Sequence, residues 1–131
     1  PFIRFVFIVT NAPLEADPPF AGSLCDRCGK CAESCPGHAI DMKNGLDTWQ
    51  CAVYYRGAHR SNPFLGEDFL KDHPDREKIL NGEFRFTRES ARAIYPELDF
   101  LPSRATGYAQ CLCGKKCDIA CYNHLKEKNL L

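Results

Sequence analysis

The first apolar stretch of the chain has the pattern of a β-strand. Apart from one arginine, residues 2–10 are aromatic or β-branched, which predicts a strand buried on both faces. Such a strand needs neighbouring strands, and two partners are open: the short segment 39–42, or an upstream domain that is absent from this chain. We favour the upstream domain. Because three prolines follow, residues 11–20 are predicted to run extended as a strap.

The rest of the chain is predicted to form short helices and a brief strand. Asp47 is the expected N-cap and Gly57 the terminator of one helix, and Thr87 is the N-cap of another that stops before Pro96. The brief strand is expected soon after Gly37. The predicted helices cover residues 29–35, 47–57, 64–71, 75–81, 88–95 and 115–128.

Composition limits the size of the fold and the kinds of partner it can have. The 131 residues, 44% of them hydrophobic, suffice for one compact domain but not comfortably for two. Because the formal net charge is zero, we expect no nucleic-acid partner. We see neither a signal peptide nor an apolar run that could span a membrane. The nine cysteines therefore favour a reducing cytoplasm over a secreted disulfide scaffold.

Four cysteines and a proline follow one another at the spacing of a bacterial-type [4Fe-4S] ligand run. The run is Cys25-x2-Cys28-x2-Cys31-x3-Cys35-Pro36. Two-residue gaps let three thiolates point inward from one tight loop, whereas the fourth cysteine follows one helical turn later and points away from them. In two-cluster ferredoxins that fourth cysteine ligates the other cluster. Structural zinc and disulfides are the weaker alternatives, since zinc sites usually show two separated C-x2-C pairs.

The remaining five cysteines are sufficient for a second cluster. They are Cys51, Cys111, Cys113, Cys117 and Cys121. Two cubane clusters need eight thiolates, because each takes four. Since Cys121 follows Cys117 as Cys35 follows Cys31, we expect Cys121 to return to the first cluster. The C-x-C-x3-C-x3-C spacing of the last four is unusual, and alone it would also suit zinc or a redox-active thiol site.

The cysteine count therefore predicts two ligand sets with one thiol left over. The first cluster is expected to take Cys25, Cys28, Cys31 and Cys121. The second is expected to take Cys35, Cys51, Cys113 and Cys117. Cys111 is then the spare, but exchanging it with Cys113 needs only a small loop adjustment, and that alternative stays open.

Other polar residues are given less weight as site residues. His38, His59 and His73 lie at predicted turns or in polar loops without a metal triad nearby. His124 shares a helix face with Cys117 and Cys121, and a surface position is favoured over a hydrogen bond to a cluster sulfur. A basic stripe formed by Arg85, Arg88 and Arg92 is expected to be a solvated face rather than a partner surface.

Several segments taken together resemble one family. They are residues 10–20, the run ending in Cys35-Pro36, the tripeptide Trp49-Gln50-Cys51 and the terminal cysteine group. They look like the C-terminal iron–sulfur region of the epoxyqueuosine reductase and reductive dehalogenase family, over residues 7–56 and 107–126. The resemblance implies the same two ligand sets and an upstream cobalamin-binding domain that receives electrons one at a time. This chain departs from the family's second motif, because Tyr122 stands where the family has proline.

The sequence thus predicts an α+β, ferredoxin-like module with two [4Fe-4S] clusters. Residues 1–22 would end the upstream domain, and residues 23–131 would form the iron–sulfur domain with a helical insertion at about 58–107. The module would be non-catalytic alone, passing electrons from a ferredoxin- or flavodoxin-type donor to a reductase site. Two rivals are a free-standing ferredoxin-type carrier and a zinc-stabilised interaction module. Without iron, the chain is expected to be partly molten.

Overall fold

The computed structural model describes residues 7–19, 24–101 and 110–130. Over these ranges the chain combines short helices with a two-stranded sheet, in keeping with the predicted α+β class. The elements, in chain order, are α1 (Lys30–Glu33), β1 (Ile40–Asp41), β2 (Gly45–Leu46), α2 (Thr48–Tyr55), α3 (Arg76–Leu80), α4 (Arg88–Ile94), a 3-10 helix (Tyr95–Leu98) and α5 (Lys116–Glu127). No helix in these ranges is long and apolar enough to cross a membrane.

The two strands form a local antiparallel hairpin. Ile40 pairs with Leu46, and Asp41 pairs with Gly45, which has a positive φ of 86°. Asp41 Oδ1 accepts the backbone N–H groups of Asn44, at 2.6 Å, and Lys43, at 2.9 Å. These two hydrogen bonds lower the pKa of Asp41. The hairpin is thus stabilised by its own turn.

The strand predicted over residues 2–10 does not form where the structure can test it. Residues 7–10 lack regular structure, and the Phe7 and Val9 side chains are 98% exposed; residues 1–6 lie outside the described ranges. Residues 7–10 do not pair with segment 39–42, where Ile40–Asp41 pairs instead with Gly45–Leu46, a nearer partner whose loop is shorter to close. An upstream partner stays a prediction. Residues 11–19 are exposed and irregular, as expected of the strap.

The helix ends follow the predicted signals in most places. The Asp47 carboxylate accepts the backbone N–H groups of Trp49 and Gln50 at the start of α2, and Gly57, with φ 107°, follows its end. Thr87 and Ser90 form a capping box at the start of α4. The predictions at 29–35, 75–81 and 115–128 correspond to the slightly shorter α1, α3 and α5.

The helix predicted over 64–71 is wrong, because this segment forms successive turns. Its backbone bonds span three residues, as in Phe69 N–H to the Gly66 carbonyl at 3.2 Å and Lys71 N–H to the Asp68 carbonyl at 3.1 Å. Gly66 is a poor helix former in the middle of the segment, and Leu70 adopts a positive φ of 52° that no helix allows.

The hydrophobic core lies among α2, α3, α4 and the 3-10 helix, so the predicted insertion packs directly on the helix that carries Cys51. It is formed by Val53, Tyr54, Ala58, Phe69, Ile79, Leu80, Phe86, Ala91, Ile94 and Leu98. Burial of apolar surface on this scale is the main stabilising contribution to the fold. The core therefore gives α2 a fixed support from which Cys51 reaches the cysteine-bearing side.

Candidate metal centre

The loop that carries the first three cysteines is held against α5. Lys30 of α1 pairs with Glu127 of α5 at 2.9 Å, and the Ser34 hydroxyl donates to the Lys116 carbonyl at 3.3 Å. These contacts bring Cys121 to the loop. Burial raises the pKa of the Cys121 thiol, and negative charge on three neighbouring thiols raises it further. Those neighbours are Cys31, Cys25 and Cys28, and with Cys121 we call them the first cysteine group.

A carboxylate inside the first loop ties it to the end of α5. Asp26 Oδ2 lies 2.8 Å from His124 Nε2 and 2.5 Å from Lys128 Nζ, while Oδ1 accepts the Cys28 backbone N–H at 3.2 Å. The Lys128 and His124 hydrogen bonds hold the pKa of Asp26 well below its usual range. His124 is buried, so the predicted surface position is wrong; the reason is that Asp26 supplies a partner for its ring.

The fourth cysteine of the run faces a different set of thiols. Cys35 is buried, and its Sγ accepts the Ala39 backbone N–H at 3.3 Å. Burial raises the pKa of the Cys51 thiol, and charge on Cys35, Cys117 and Cys111 raises it further. Burial also raises the pKa of Cys117, with contributions from Asp118 and Cys35. These thiols are therefore close neighbours.

Cys111 and Cys113 lie side by side, so the geometry suits either thiol as the ligand. Their Sγ atoms are 3.8 Å apart. Burial raises the pKa of Cys113 to about 12, and charge on Cys111 and Cys117 contributes to the rise. Leu112, between them, donates its N–H to the Tyr55 carbonyl at 2.8 Å, which anchors the loop to the end of α2. The second cysteine group is thus Cys35, Cys51, Cys111, Cys113 and Cys117.

The chemistry of these donors fits a bound metal centre. Thiolate sulfur selects iron–sulfur clusters or zinc over hard cations. Burial and mutual charge oppose ionisation of the free thiols, and a bound metal reverses this by stabilising the thiolates. α5 supplies Cys121 to the first group and Cys117 to the second, about 6 Å apart along the helix axis. The two groups are therefore adjacent.

The other three histidines lie in loops or turns, but they differ in how far their side chains are buried. His38 is exposed at a turn, and His73 Nδ1 accepts the Asp75 backbone N–H at 3.1 Å; neither contradicts the prediction. His59 also lies in a loop, as predicted, but it is only 2% exposed. Burial and the Lys116 charge lower its pKa, whereas the Leu112 carbonyl beside the ring raises it. The turn after α2 folds this histidine inward, beside the loop of the second group.

The three arginines of the basic stripe are exposed, as expected of a solvated face, and they also contact neighbouring groups. The Arg88 and Arg92 guanidinium groups lie 6.0 and 5.7 Å from the centre of the Trp49 ring, within cation–π range. Arg85 donates to the carbonyls of Gly37 at 3.3 Å and His38 at 3.0 Å. The three arginines therefore join the insertion to the segment that follows Cys35 and to α2.

Sequence reasoning missed Gln50, the residue before Cys51. It is fully buried, and its Nε2 donates to the carbonyls of Gly37 at 2.8 Å and Phe84 at 2.9 Å. Its Oε1 accepts the Phe86 backbone N–H at 3.1 Å. The side chain links the cysteine run, α2 and the insertion. The available signal was weak: a polar residue on the face of α2 that also carries Val53 and Tyr54.

Comparison with known proteins identifies what kind of protein this chain is similar to. A 4Fe-4S binding domain family matches residues 21–41, which include the whole first run. The epoxyqueuosine reductase of Synechococcus sp. (strain CC9605) is 40% identical over 55 residues, which are 42% of this chain and 17% of the relative. Together these matches confirm the resemblance: they support an iron–sulfur region of the epoxyqueuosine reductase family. The match thus covers a minor part of that relative's length. No solved structure matches the chain.

Proposed function

We propose that this protein transfers electrons through two [4Fe-4S] clusters held by the two cysteine groups. When bound, such clusters accept and release single electrons at potentials set by their surroundings. The first would use Cys25, Cys28, Cys31 and Cys121. The second would use Cys35, Cys51, Cys117 and Cys113, with Cys111 as the alternative to Cys113.

The observation that carries the proposal is the separation of the nine thiols into two adjacent groups. One helical turn of α5 separates Cys121 from Cys117, and a similar turn separates Cys31, in α1, from Cys35, which follows the end of α1. Each group therefore draws on both elements. The thiols of a group lower one another's tendency to ionise, so a cationic centre among them is the arrangement that relieves this repulsion.

We further propose that the electrons go to a reductase site outside this chain. The relative bears the name of a reductase, and the match leaves most of its length without a counterpart. The family resemblance suggests an upstream cobalamin-dependent or related domain as acceptor. A ferredoxin- or flavodoxin-type protein in the cytoplasm is the proposed donor. With a net charge of zero, nucleic acid is not a proposed partner.

The test is to purify the chain without oxygen and measure iron, acid-labile sulfide and the EPR spectrum after reduction. About eight irons per chain and two spin-coupled centres are expected. About four irons would contradict the second cluster. A second measurement decides between the two neighbouring thiols. Cys113→Ser should lower the iron content more than Cys111→Ser, and the reverse result would make Cys111 the ligand.

A zinc module is the second candidate, because one mixed set of donors could hold zinc. Ligand atoms of Asp26, Cys28 and His124 lie within 4.8 Å of one another. Carboxylate, thiolate and imidazole are all zinc ligands. A colourless protein with bound zinc and no sulfide would favour this candidate over electron transfer.

A further inference from the structure

His59 is a buried side chain that the proposed ligand sets do not use. It is 2% exposed, and its Nε2 atom is buried without a hydrogen-bond partner within the described parts of the chain. A buried polar atom in this state is rare enough in folded proteins to require an explanation. The ring lies in the turn that follows α2, beside the loop of Cys111, Leu112 and Cys113.

A short relay fixes the orientation of the His59 ring. Lys116 Nζ donates to Ser61 Oγ at 2.7 Å, and Ser61 Oγ lies 3.0 Å from His59 Nδ1. A hydroxyl can both accept and donate, so Ser61 can accept from Lys116 and still donate its own proton to Nδ1. Of the two neutral tautomers, the one protonated on Nε2 suits this site, because the Leu112 carbonyl beside the ring can only accept.

The turn that carries His59 is itself rigid and packed on the loop. The Gly57 carbonyl accepts the His59 backbone N–H at 2.8 Å and the Asn62 side-chain amide at 3.0 Å. A Cβ at Gly57 would lie 3.0 Å from Leu112 Cδ1, so the Leu112 side chain rests directly on the turn. The Leu112 N–H is already bonded to Tyr55, which leaves its carbonyl as the backbone group that faces the ring.

We propose that His59 is a positioning residue for the second cluster. Its Nε2 proton is donated to the Leu112 carbonyl when the loop closes on the metal. That bond holds Cys111 and Cys113 toward the other thiols of the second cysteine group. The inference rests on the proposed function, because it assigns the closed loop to a bound cluster.

Two substitutions of His59 test the roles of its two ring nitrogens separately. His59→Gln places an amide N–H near the position of Nε2, whereas His59→Asn places it near Nδ1 and leaves the Leu112 side without a donor. His73→Gln is the matched control, because His73 is a partly buried histidine of the insertion whose ring packs against Phe84. Each protein is purified without oxygen, and two quantities are measured: the iron content per chain, and the rate at which each cysteine is alkylated, by mass spectrometry.

Loss of the donor should loosen only the loop of the second group. His59→Asn is expected to increase the alkylation rate of Cys111 and Cys113 by about fivefold or more, the effect of losing one ordinary hydrogen bond. The first group should keep its wild-type rates. The iron content should fall from about eight toward about four. His59→Gln and His73→Gln should resemble the wild type.

The outcomes distinguish the two proposals. If the wild type itself holds about four irons, the second cluster fails, while the alkylation rates still judge the role of His59. Unchanged rates at Cys111 and Cys113 in His59→Asn would overturn the positioning role. An equal rise at Cys25 and Cys121 would also overturn it, because the change would then be a general loss of structure.

Discussion

Two halves of this molecule are stabilised by different means. The core half, residues 53–98, buries a continuous set of apolar side chains. The cysteine half, residues 24–35 with α5, buries few: α1 has no buried residue, and α5 buries only His124 and Leu125. Hydrophobic burial can stabilise the first half alone. The second half consists mainly of thiols and surface ion pairs, and therefore depends on the metal centre that the thiols bind.

The two halves meet at α2 and at the turn after Cys35. Val53 and Tyr54 of α2 face the core, while Cys51 of the same helix faces the second cysteine group. Gly37 packs so closely on the Tyr54 ring that a Cβ there would lie 2.1 Å from a ring atom. The apolar core thus positions at least one metal ligand directly, and the comparison predicts that damage to each half has a different consequence.

Removing iron should have the largest effect and should act on one half. When a chelator strips the metal under anoxic conditions, backbone amides in α1 and α5 are expected to lose protection from hydrogen exchange. Amides in α4 and around Ile79 should retain it, because their burial does not involve thiols. Hydrogen exchange measured by mass spectrometry distinguishes the halves. Protection lost equally in both would show that the core half cannot fold without the metal.

Ile79→Ala tests the opposite half. Ile79 is fully buried, so the substitution should lower the free energy of unfolding by about 2–5 kcal/mol through lost burial and a residual cavity. Iron bound by the fraction that remains folded should not change. Ile119→Ala is the matched control, because Ile119 lies on α5 and is 46% exposed. Chemical denaturation followed by circular dichroism gives the free energies of unfolding. If Ile119→Ala lowered this free energy as much as Ile79→Ala, the two halves would not differ in how they are stabilised.

Gln50→Leu should weaken the connection between the halves. The change removes three hydrogen bonds and leaves the Phe84 carbonyl and the Phe86 N–H without their Gln50 partner in a buried site. Unsatisfied buried groups cost about 1–3 kcal/mol each, so stability should fall and iron should be released faster. Gln50→Glu keeps the acceptor for Phe86 and should be destabilising through its buried charge. Denaturation and iron-release rates both test this, and a variant that alters neither would show that Gln50 does not couple the halves.

The elements of this fold were predictable where a local rule decides the structure. Asp47, Gly57 and Thr87 signal helix ends through their own side chains or lack of one, and the cysteine spacing is itself the motif. Gln50 and His59 were not predictable in this way. Their burial depends on partners 34 and 53 residues away, Phe84 and Leu112, which no local pattern identifies.

The errors have different origins. The segment 64–71 contains apolar residues at helical spacing, but Gly66 and the positive φ of Leu70 break the helix into turns. His124 was expected at the surface because its partner, Asp26, is 98 residues earlier in the chain. A long-range contact thus decided the position of His124, whereas local backbone conformation decided the segment 64–71.

Asp26→Asn should have the smallest effect, and only on the first cysteine group. The variant keeps a side-chain acceptor for the Cys28 N–H but loses the charge that faces Lys128 and His124. Because this site is exposed, solvent screens the lost attraction, and iron release from the first cluster should accelerate by less than about fivefold. Asp72→Asn, an exposed carboxylate in the core half, is the control. EPR of partly chelated samples reports which cluster is lost. Faster loss of the second cluster than the first would mean that Asp26 acts through the fold as a whole, and the division between the halves would be wrong.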